Sequence, residues 1–359
     1  MKKKLKYLVN SILFILLIIL TFKIVFRDQS ITEIMDVVKK VKKPFILASI
    51  ISMCIYVICE AWNISRTLKN LNEKSSFLSN IKYALIGFFF SGITPAASGG
   101  QPMQIYYMHK EKISVANSTL ALLINLCSMQ VVTISLALVS VAFNHKYLTG
   151  PLIGFFILGI ALNMSALALL AFTIFSKNSL KKIVDFFIMI VKKLRFKHAD
   201  QIQQKIEEEI NKYQVGSKYI KKHKKLILKT LATSYIEYIA LYSVSYWVYR
   251  SFGFKDYNIV QLVSIQSMLY GAVSGIPSPG AVGVTEGGFI EIFKTIYPEN
   301  LLRSAMILNR GINFYLLMVV SGLVTIANAT KVKNVENKDK EYMLEDGTEK
   351  NRISDIEKN

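Results

Sequence analysis

Four ionisable side chains lie inside apolar stretches of the sequence, where they could do chemistry: Glu60, Glu237, Glu286 and Arg310. A charge at membrane depth costs ~2.5–3.5 kcal/mol on insertion scales, so such residues are functional candidates by default. Glu286 and Arg310 could form an ion pair that is either functional or purely structural. Glu60 lies near the end of its stretch and could simply reach the membrane interface. Glu237 lies midway along its stretch and is the better candidate for a cavity residue.

Two segments rich in glycine and proline interrupt apolar stretches and could bind an anion. Residues 94–102 read Thr-Pro-Ala-Ala-Ser-Gly-Gly-Gln-Pro, and residues 277–288 read Pro-Ser-Pro-Gly-Ala-Val-Gly-Val-Thr-Glu-Gly-Gly. Pro and Gly break helices, and irregular backbone cannot face lipid, so each break must be buried in protein or line a watery cavity. The paired glycines 99–100 and 287–288 lie near helix starts, where backbone amides and the helix dipole favour a phosphate. Close helix packing is the alternative explanation for these glycines.

The sequence contains none of the common catalytic or metal-binding patterns. Its four histidines form no His-Glu-x-x-His motif, its three cysteines match no zinc or redox spacing, and it has no Walker loop and no Gly-x-Ser-x-Gly. We therefore expect no catalytic residue, no metal site and no cofactor.

The composition is that of a polytopic helical membrane protein. Of the 359 residues, 52 % are hydrophobic and only 19 % are charged, with a net charge of +20. These values exclude a cytosolic globular enzyme, a disordered protein and a disulfide scaffold. Six segments have the roughly 20 apolar residues that span a hydrocarbon layer of about 30 Å. They are residues 5–26, 44–62, 114–143, 151–175, 226–249 and 302–327.

The distribution of Lys and Arg orients these spans. The basic N-terminus, the loop 63–82 and the strongly basic segment 176–225 all fall in the cytoplasm if both broken regions enter and leave by the same face. The breaks would then be re-entrant hairpins, and both termini would be cytoplasmic. The lysines of loop 27–43 conflict with this assignment, and we interpret that loop as an interfacial amphipathic helix. Residues 331–359 are predicted to be a disordered cytoplasmic tail.

The order of spans and breaks predicts an inverted repeat. Span 44–62, the first break and span 114–143 form one unit, and span 226–249, the second break and span 302–327 form another of opposite orientation. Interrupted segments in matching positions point to a substrate site between two halves, although two unrelated kinked helices would give the same pattern. The predicted fold is an all-α polytopic membrane protein with about six full spans and two re-entrant broken hairpins.

Both breaks resemble motifs of the lysylphosphatidylglycerol synthase transmembrane region, the flippase-like membrane domain of multiple peptide resistance factor proteins. The second break carries Pro-Gly-x-x-Gly-x-x-Glu at residues 279–286 and is followed by Asn309-Arg310. The first break matches the family motif less closely, because family members often carry an acidic residue where this chain has Gln101. The resemblance covers most of residues 1–330. It implies a stand-alone member without the soluble lysyltransferase domain, and hence no enzyme by itself.

The resemblance implies a bacterial plasma-membrane protein that translocates or handles an aminoacylated, lysyl-bearing phospholipid between leaflets. The lipid phosphate would lie near the amides of Gly99, Gly100 and Gly283, and the amine at Glu237 or Glu286, with Arg310 modulating the charge. The expected substrate-binding residues are Pro95, Gly99, Gly100, Gln101, Glu237, Pro277, Gly280, Gly283, Glu286 and Arg310.

Two other functions remain open. The first is a carrier of another lipid phosphate or of a small anion. The second is a membrane component of phosphatidylglycerol lysyltransferase activity, in lipid metabolism and resistance to cationic peptides, which would act with a separate soluble synthase. Membrane phospholipid, anionic or aminoacylated, is the expected partner, nucleic acid is not, and a homo-oligomer remains open.

Overall fold

The computed structural model describes residues 39–148, 150–175, 199–276 and 278–329, together with Asp36. The predicted span 5–26, the tail 331–359 and Pro277 lie outside the described residues. So do all but the last residues of loop 27–43 and the first half of the basic segment 176–225.

The described residues form ten helices and no strand. The helices are α1 (Lys43–Asn70), α2 (Phe77–Ile93), α3 (Gly100–Lys110), α4 (Val115–Asn144), α5 (Pro151–Phe175), α6 (Ala199–Lys222), α7 (Lys224–Ser251), α8 (Ile259–Val273), α9 (Val284–Phe293) and α10 (Glu299–Ala329). A π-helical turn, Gly311–Leu316, lies inside α10. Local sequence explains several helix starts: α1 has a Pro in its first turn, the Ser76 hydroxyl accepts the Ser79 amide before α2, and Asn258 forms a capping box with Gln261 before α8.

Four of these helices, α1, α4, α5 and α10, are long and apolar enough to cross a membrane. They coincide with four of the six predicted spans, so the chain is a multi-pass membrane protein. The predicted span 226–249 forms most of α7, a helix of 28 residues. Helix α7 is less apolar than the four long apolar helices. Its buried polar residues, Glu237 among them, face the protein interior.

The core is organised around α7. This helix makes its most extensive contact with α1, and it also packs against α4, α8 and α10. One large apolar cluster joins α1, α4, α7 and α10, and a second joins α5, α8, α9 and the start of α10. Helix α5, in contrast, exposes many large apolar side chains, as expected of a helix that faces lipid.

Both predicted breaks are present between short helices. Helix α2 is separated from α3 by the 3₁₀ turn Pro95–Ala97, and α8 from α9 by the 3₁₀ turn Pro279–Ala281. The two turns contact each other, and α2 also packs against the second turn. Residues far apart in sequence are thereby brought to one place, between α2 and α10.

Candidate substrate-binding site at the two helix breaks

The two breaks share the backbone at their first and fourth positions but differ at the last, where φ is −85° at Gly99 and 82° at Gly283. Thr94 (φ −113°, ψ 145°) and Ser278 (φ −122°, ψ 147°) are extended, and each is followed by a proline that begins a single 3₁₀ turn. The turn ends on an alanine with positive φ, 54° at Ala97 and 52° at Ala281. The left-handed region costs a non-glycine residue ~1–2 kcal/mol, so packing must hold both turns in place.

The sequence carries a signal for this likeness that the motif analysis missed. The pattern Ser/Thr-Pro-x-Ala-x-Gly occurs at residues 94–99 and again at residues 278–283. Its last residue, Gly99 or Gly283, immediately precedes the helix that follows the break.

Glu286 lies at the centre of the second break. Its Oε2 atom accepts the Gly283 amide at 2.6 Å, and its Oε1 atom accepts Arg310 Nε at 2.9 Å and the Tyr315 hydroxyl at 3.0 Å. The side chains of Arg310 and Glu286 are 8 % and 17 % exposed. The ion pair that the sequence suggested is therefore present, and the carboxylate also caps its own helix.

Arg310 connects α10 to the turn before α9. Its second guanidinium nitrogen donates to the Gly280 carbonyl at 3.0 Å, and the guanidinium carbon lies 4.4 Å from the centre of the Phe314 ring. Gly280 has a φ of 58°, and a Cβ atom there would lie 2.3 Å from Phe314 Cζ. Only glycine fits this position, because it must accept both the backbone angle and the close approach.

The glycines of the first break serve packing and an internal cap. The Gly99 amide donates to Thr94 Oγ1 at 2.9 Å. A Cβ atom on Gly100 would lie 2.1 Å from Ser91 Oγ and 2.8 Å from the Gly87 carbonyl, so α2 and α3 approach closely here. Pro95 is exposed and Gln101 is partly buried beside them. These contacts match the packing explanation, and phosphate binding at the amides stays a prediction.

A second acidic site lies between α1 and α7. Glu237 on α7 is 3 % exposed, and Glu60 on α1 is partly exposed. The two carboxylates are close enough for their charges to interact. Asn63 Nδ2 lies 3.5 Å from Glu237 Oε2, and Gln104 Nε2 lies 3.5 Å from Glu60 Oε1. Both distances are long for hydrogen bonds, so this acidic pair is poorly satisfied compared with Glu286.

Four tyrosines connect the acidic pair to the second break. Tyr56, Tyr238, Tyr242 and Tyr270, here called the tyrosine cluster, have ring centroids 5.3–6.3 Å apart in successive contacts. Tyr56 interacts electrostatically with both glutamates of the pair, and Tyr270 interacts with Glu237 and Arg310. Tyr238 and Tyr242 lie on α7, Tyr56 on α1 and Tyr270 on α8. None of the four was among the candidate site residues.

A chain of hydrogen-bonded polar side chains continues from Glu237 toward the adjacent ends of α1 and α7. Asn63 Nδ2 donates to Ser234 Oγ at 3.0 Å, and Arg66 donates to Asn63 Oδ1 and to Thr233 Oγ1, both at 2.9 Å. These residues were not among the candidate site residues. Their relevance follows only from the contact between the two helices.

The predicted site residues thus fall into three groups. Gly280, Gly283, Glu286 and Arg310 form one connected unit, and the first break lies against it. Glu237 lies apart from this unit, with Glu60, across the tyrosine cluster. Pro277 lies outside the described residues. No group of three or more His, Cys, Asp or Glu side chains that could hold a metal ion occurs within the described part of the chain.

The fold and the site define a multi-pass helical membrane protein with two matching helix breaks and an acidic interior. The family model for the lysylphosphatidylglycerol synthase transmembrane region matches residues 8–321, and the chain belongs to this family. The resemblance seen in the sequence motifs is thereby confirmed. The chain is also 26 % identical over 294 residues to a UPF0104 membrane protein of Pyrococcus horikoshii, an alignment that covers 79 % of this chain and 87 % of the relative.

Proposed function

We propose that this protein binds a phospholipid with a cationic, aminoacylated headgroup and moves it between the leaflets of a bacterial plasma membrane. The observation that carries the proposal is the acidic pair Glu60–Glu237, two poorly satisfied carboxylates inside a membrane protein. Uncompensated negative charge at that depth favours a cationic ligand. Membership of a family named for lysylphosphatidylglycerol synthesis makes a lysyl headgroup the best candidate for this ligand.

The proposed headgroup lies across the tyrosine cluster. The amine binds at Glu237 rather than at Glu286, because Glu286 already accepts three donors within 3.0 Å. The phosphate lies near the first break, beside Gly99, Gly100 and Gln101. The tyrosine rings between the two positions suit a cation as well as an apolar linker. The acyl chains remain in lipid.

Movement would depend on two halves that are related as an inverted repeat. The first half is α1–α4 and the second is α7–α10, each with a long helix on either side of a broken pair. The shared Ser/Thr-Pro-x-Ala-x-Gly sequence, the contact between the two turns and the packing of α1 on α7 support this division. Rocking of one half against the other would open the site to each leaflet in turn. We also propose that both breaks are re-entrant, that residues 5–26 and 226–249 span the membrane, and that both termini are cytoplasmic.

Transport of lysylphosphatidylglycerol by reconstituted protein tests the proposal. Lipid vesicles containing this lipid are probed with a membrane-impermeant amine reagent, which reports the lysyl lipid that reaches the outer leaflet. We expect wild-type protein to accelerate exposure and Glu237→Gln to reduce the rate by about tenfold or more, the effect of losing one charged contact of ~1.4 kcal/mol or more. Glu291→Gln, which removes a solvent-accessible carboxylate, is the matched control.

Two results would contradict the proposal: a wild-type rate in well-inserted Glu237→Gln protein, or no acceleration by wild-type protein. Equal movement of phosphatidylglycerol, which lacks the amine, would favour the alternative of a general lipid-phosphate carrier. A soluble synthase would supply the aminoacylated lipid from outside this chain.

A further inference from the structure

The acidic pair Glu60–Glu237 has no counter-charge within the part of the chain that the structure describes. Within the described residues no lysine, arginine or histidine forms an ion pair with either carboxylate. Arg66 reaches the pair only through Asn63, and the charge of Arg310 is engaged by Glu286. Two like charges at this depth cannot both persist without a cation.

The groups that face the pair do not provide that cation. Those that interact with one or both carboxylates are Tyr56 and Cys59 on α1, Tyr238 on α7 and Tyr270 on α8, and Arg66, Tyr242 and Arg310 lie one side chain further away. Tyrosine and cysteine side chains are neutral near neutral pH, and Gln104, which approaches from α3, is always neutral. The pair must therefore be neutralised by an exogenous cation or by its own protonation.

The tyrosine cluster contains a second sign of a missing partner. Tyr242 is fully buried, and its hydroxyl makes no hydrogen bond of normal geometry with any described residue, although the Thr133 side chain lies close enough to act on it. This hydroxyl interacts electrostatically with those of Tyr56 and Tyr270, and Tyr56 also interacts with both glutamates. Buried polar atoms are almost always well satisfied, so a buried hydroxyl without a well-formed hydrogen bond, connected to the acidic pair through Tyr56, indicates a ligand at this place.

We propose that the Glu60–Glu237 pair holds one exchangeable cation, and that a proton occupies it whenever a headgroup ammonium does not. This inference rests on the proposed function and adds its energy coupling. When the ammonium enters, a carboxyl group gives its proton to water and the resulting carboxylate binds the ammonium. When the ammonium leaves, the carboxylate takes a proton back. Lipid and proton therefore move in opposite directions, and outward lipid movement uses inward proton movement.

The two carboxyl side chains differ in burial. Glu60 is partly exposed, whereas Glu237 is almost fully buried. The proton therefore exchanges with water through Glu60, while Glu237 holds the ammonium deeper, beside the tyrosine rings. This division explains why the pair spans two helices that belong to different halves of the proposed repeat.

Infrared difference spectroscopy on the full-length protein in lipid nanodiscs tests the proton. We expect a protonated-carboxyl band at neutral pH in wild-type protein, its loss in the double variant Glu60→Gln/Glu237→Gln, and its retention in Glu291→Gln. The double variant removes both carboxyl groups of the pair, so neither remains to carry the proton. Absence of the band from wild-type protein would overturn the inference, and so would its persistence in the double variant.

Calorimetry on wild-type protein tests the exchange and needs no variant. The probe is dioctanoyl-lysylphosphatidylglycerol, titrated at one neutral pH in two buffers of different ionisation enthalpy, with dioctanoylphosphatidylglycerol as the probe that lacks the amine. We expect the lysyl probe to release close to one proton per lipid bound. Binding without proton release would overturn the exchange and leave the proposed function intact. Failure of the lysyl probe to bind would overturn both.

Discussion

The two acidic sites of this membrane protein are built in opposite ways. Glu286 accepts a backbone amide, an arginine and a tyrosine at 2.6–3.0 Å, and so has a complete set of partners. Glu60 and Glu237 each receive one side-chain amide at 3.5 Å and repel each other electrostatically. The first arrangement joins two helices at a break. The second leaves negative charge for a ligand. The comparison indicates that the carboxylate with the poorer partners, rather than the one in the more recognisable motif, is the better binding residue.

Removal of the arginine gives the largest expected effect and tests the comparison directly. Arg310→Met leaves Glu286 buried and unpaired, which typically costs about 3–5 kcal/mol. Glu237→Gln replaces a poorly satisfied carboxylate by a neutral isostere, and we expect its stability to equal or exceed that of the wild type. Thermal unfolding of the purified proteins in one detergent compares the two.

The double variant Glu286→Gln/Arg310→Met serves as the control for this experiment. It removes both charges, so we expect it to recover most of the stability that Arg310→Met loses. If Glu237→Gln were as destabilised as Arg310→Met, the acidic pair would stabilise the packing of helices as Glu286 does. The distinction between a structural carboxylate and a ligand-binding pair would then be wrong.

Much of the second break could be predicted from the sequence. Proline and glycine mark the break, and the Pro-Gly-x-x-Gly-x-x-Glu spacing places Glu286 in the first turn of the following helix. An arginine inside an apolar stretch needs a counter-charge, which made the pairing with Glu286 the natural choice. What the sequence did not indicate is that Glu286 also caps the Gly283 amide, because that contact depends on the positive φ of 82° at Gly283.

The acidic pair could not be predicted in the same way. Asn63 and Glu237 are 174 residues apart, and their contact depends on the register between α1 and α7. Glu60 was interpreted as a residue that could reach the interface because it lies near the end of an apolar stretch, and in the structure it lies within α1, which continues to Asn70, close to Gln104 of α3.

The substitution Gly280→Ala gives the next largest expected loss of stability. It tests the contact between α10 and the second break, where Arg310 pairs with Glu286. Gly280→Ala adds a Cβ atom 2.3 Å from Phe314 Cζ at a φ of 58°. We expect a loss of about 2 kcal/mol, since positive φ alone costs ~1–2 kcal/mol for alanine and Phe314 must also shift. Thermal unfolding measures the change.

Gly287→Ala is the matched control, because it lies seven residues further along the same segment and a Cβ atom there would meet no neighbour within 4 Å. We expect this control to be neutral or more stable by up to ~1 kcal/mol, the helix preference of alanine over glycine. Equal losses in the two variants would show that the segment does not tolerate any side chain, and the specific role of Gly280 would be lost.

Glu111 extends the comparison to a carboxylate outside the apolar interior and gives the smallest expected effect. It lies between α3 and α4, is about one third exposed, accepts the Tyr83 hydroxyl at 2.6 Å and pairs with Lys82. Burial acts to raise the pKa of Glu111, but the hydrogen bonds from Lys82 and Tyr83 outweigh it and hold that pKa below its usual range. A carboxylate whose pKa is lowered by folding stabilises the folded state above its unfolded pKa.

The contribution of Glu111 should therefore be complete at neutral pH and should disappear as the pH falls below about 4.5 through the lower pKa of the folded state. We expect Glu111→Gln to be slightly less stable than wild-type protein at neutral pH and to converge with it in acid, because protonation then removes the same charge from both. Solvent screening keeps the difference small. Unfolding temperatures measured from neutral to acidic pH check this, and a constant gap between the two curves would mean that Glu111 acts through packing rather than charge.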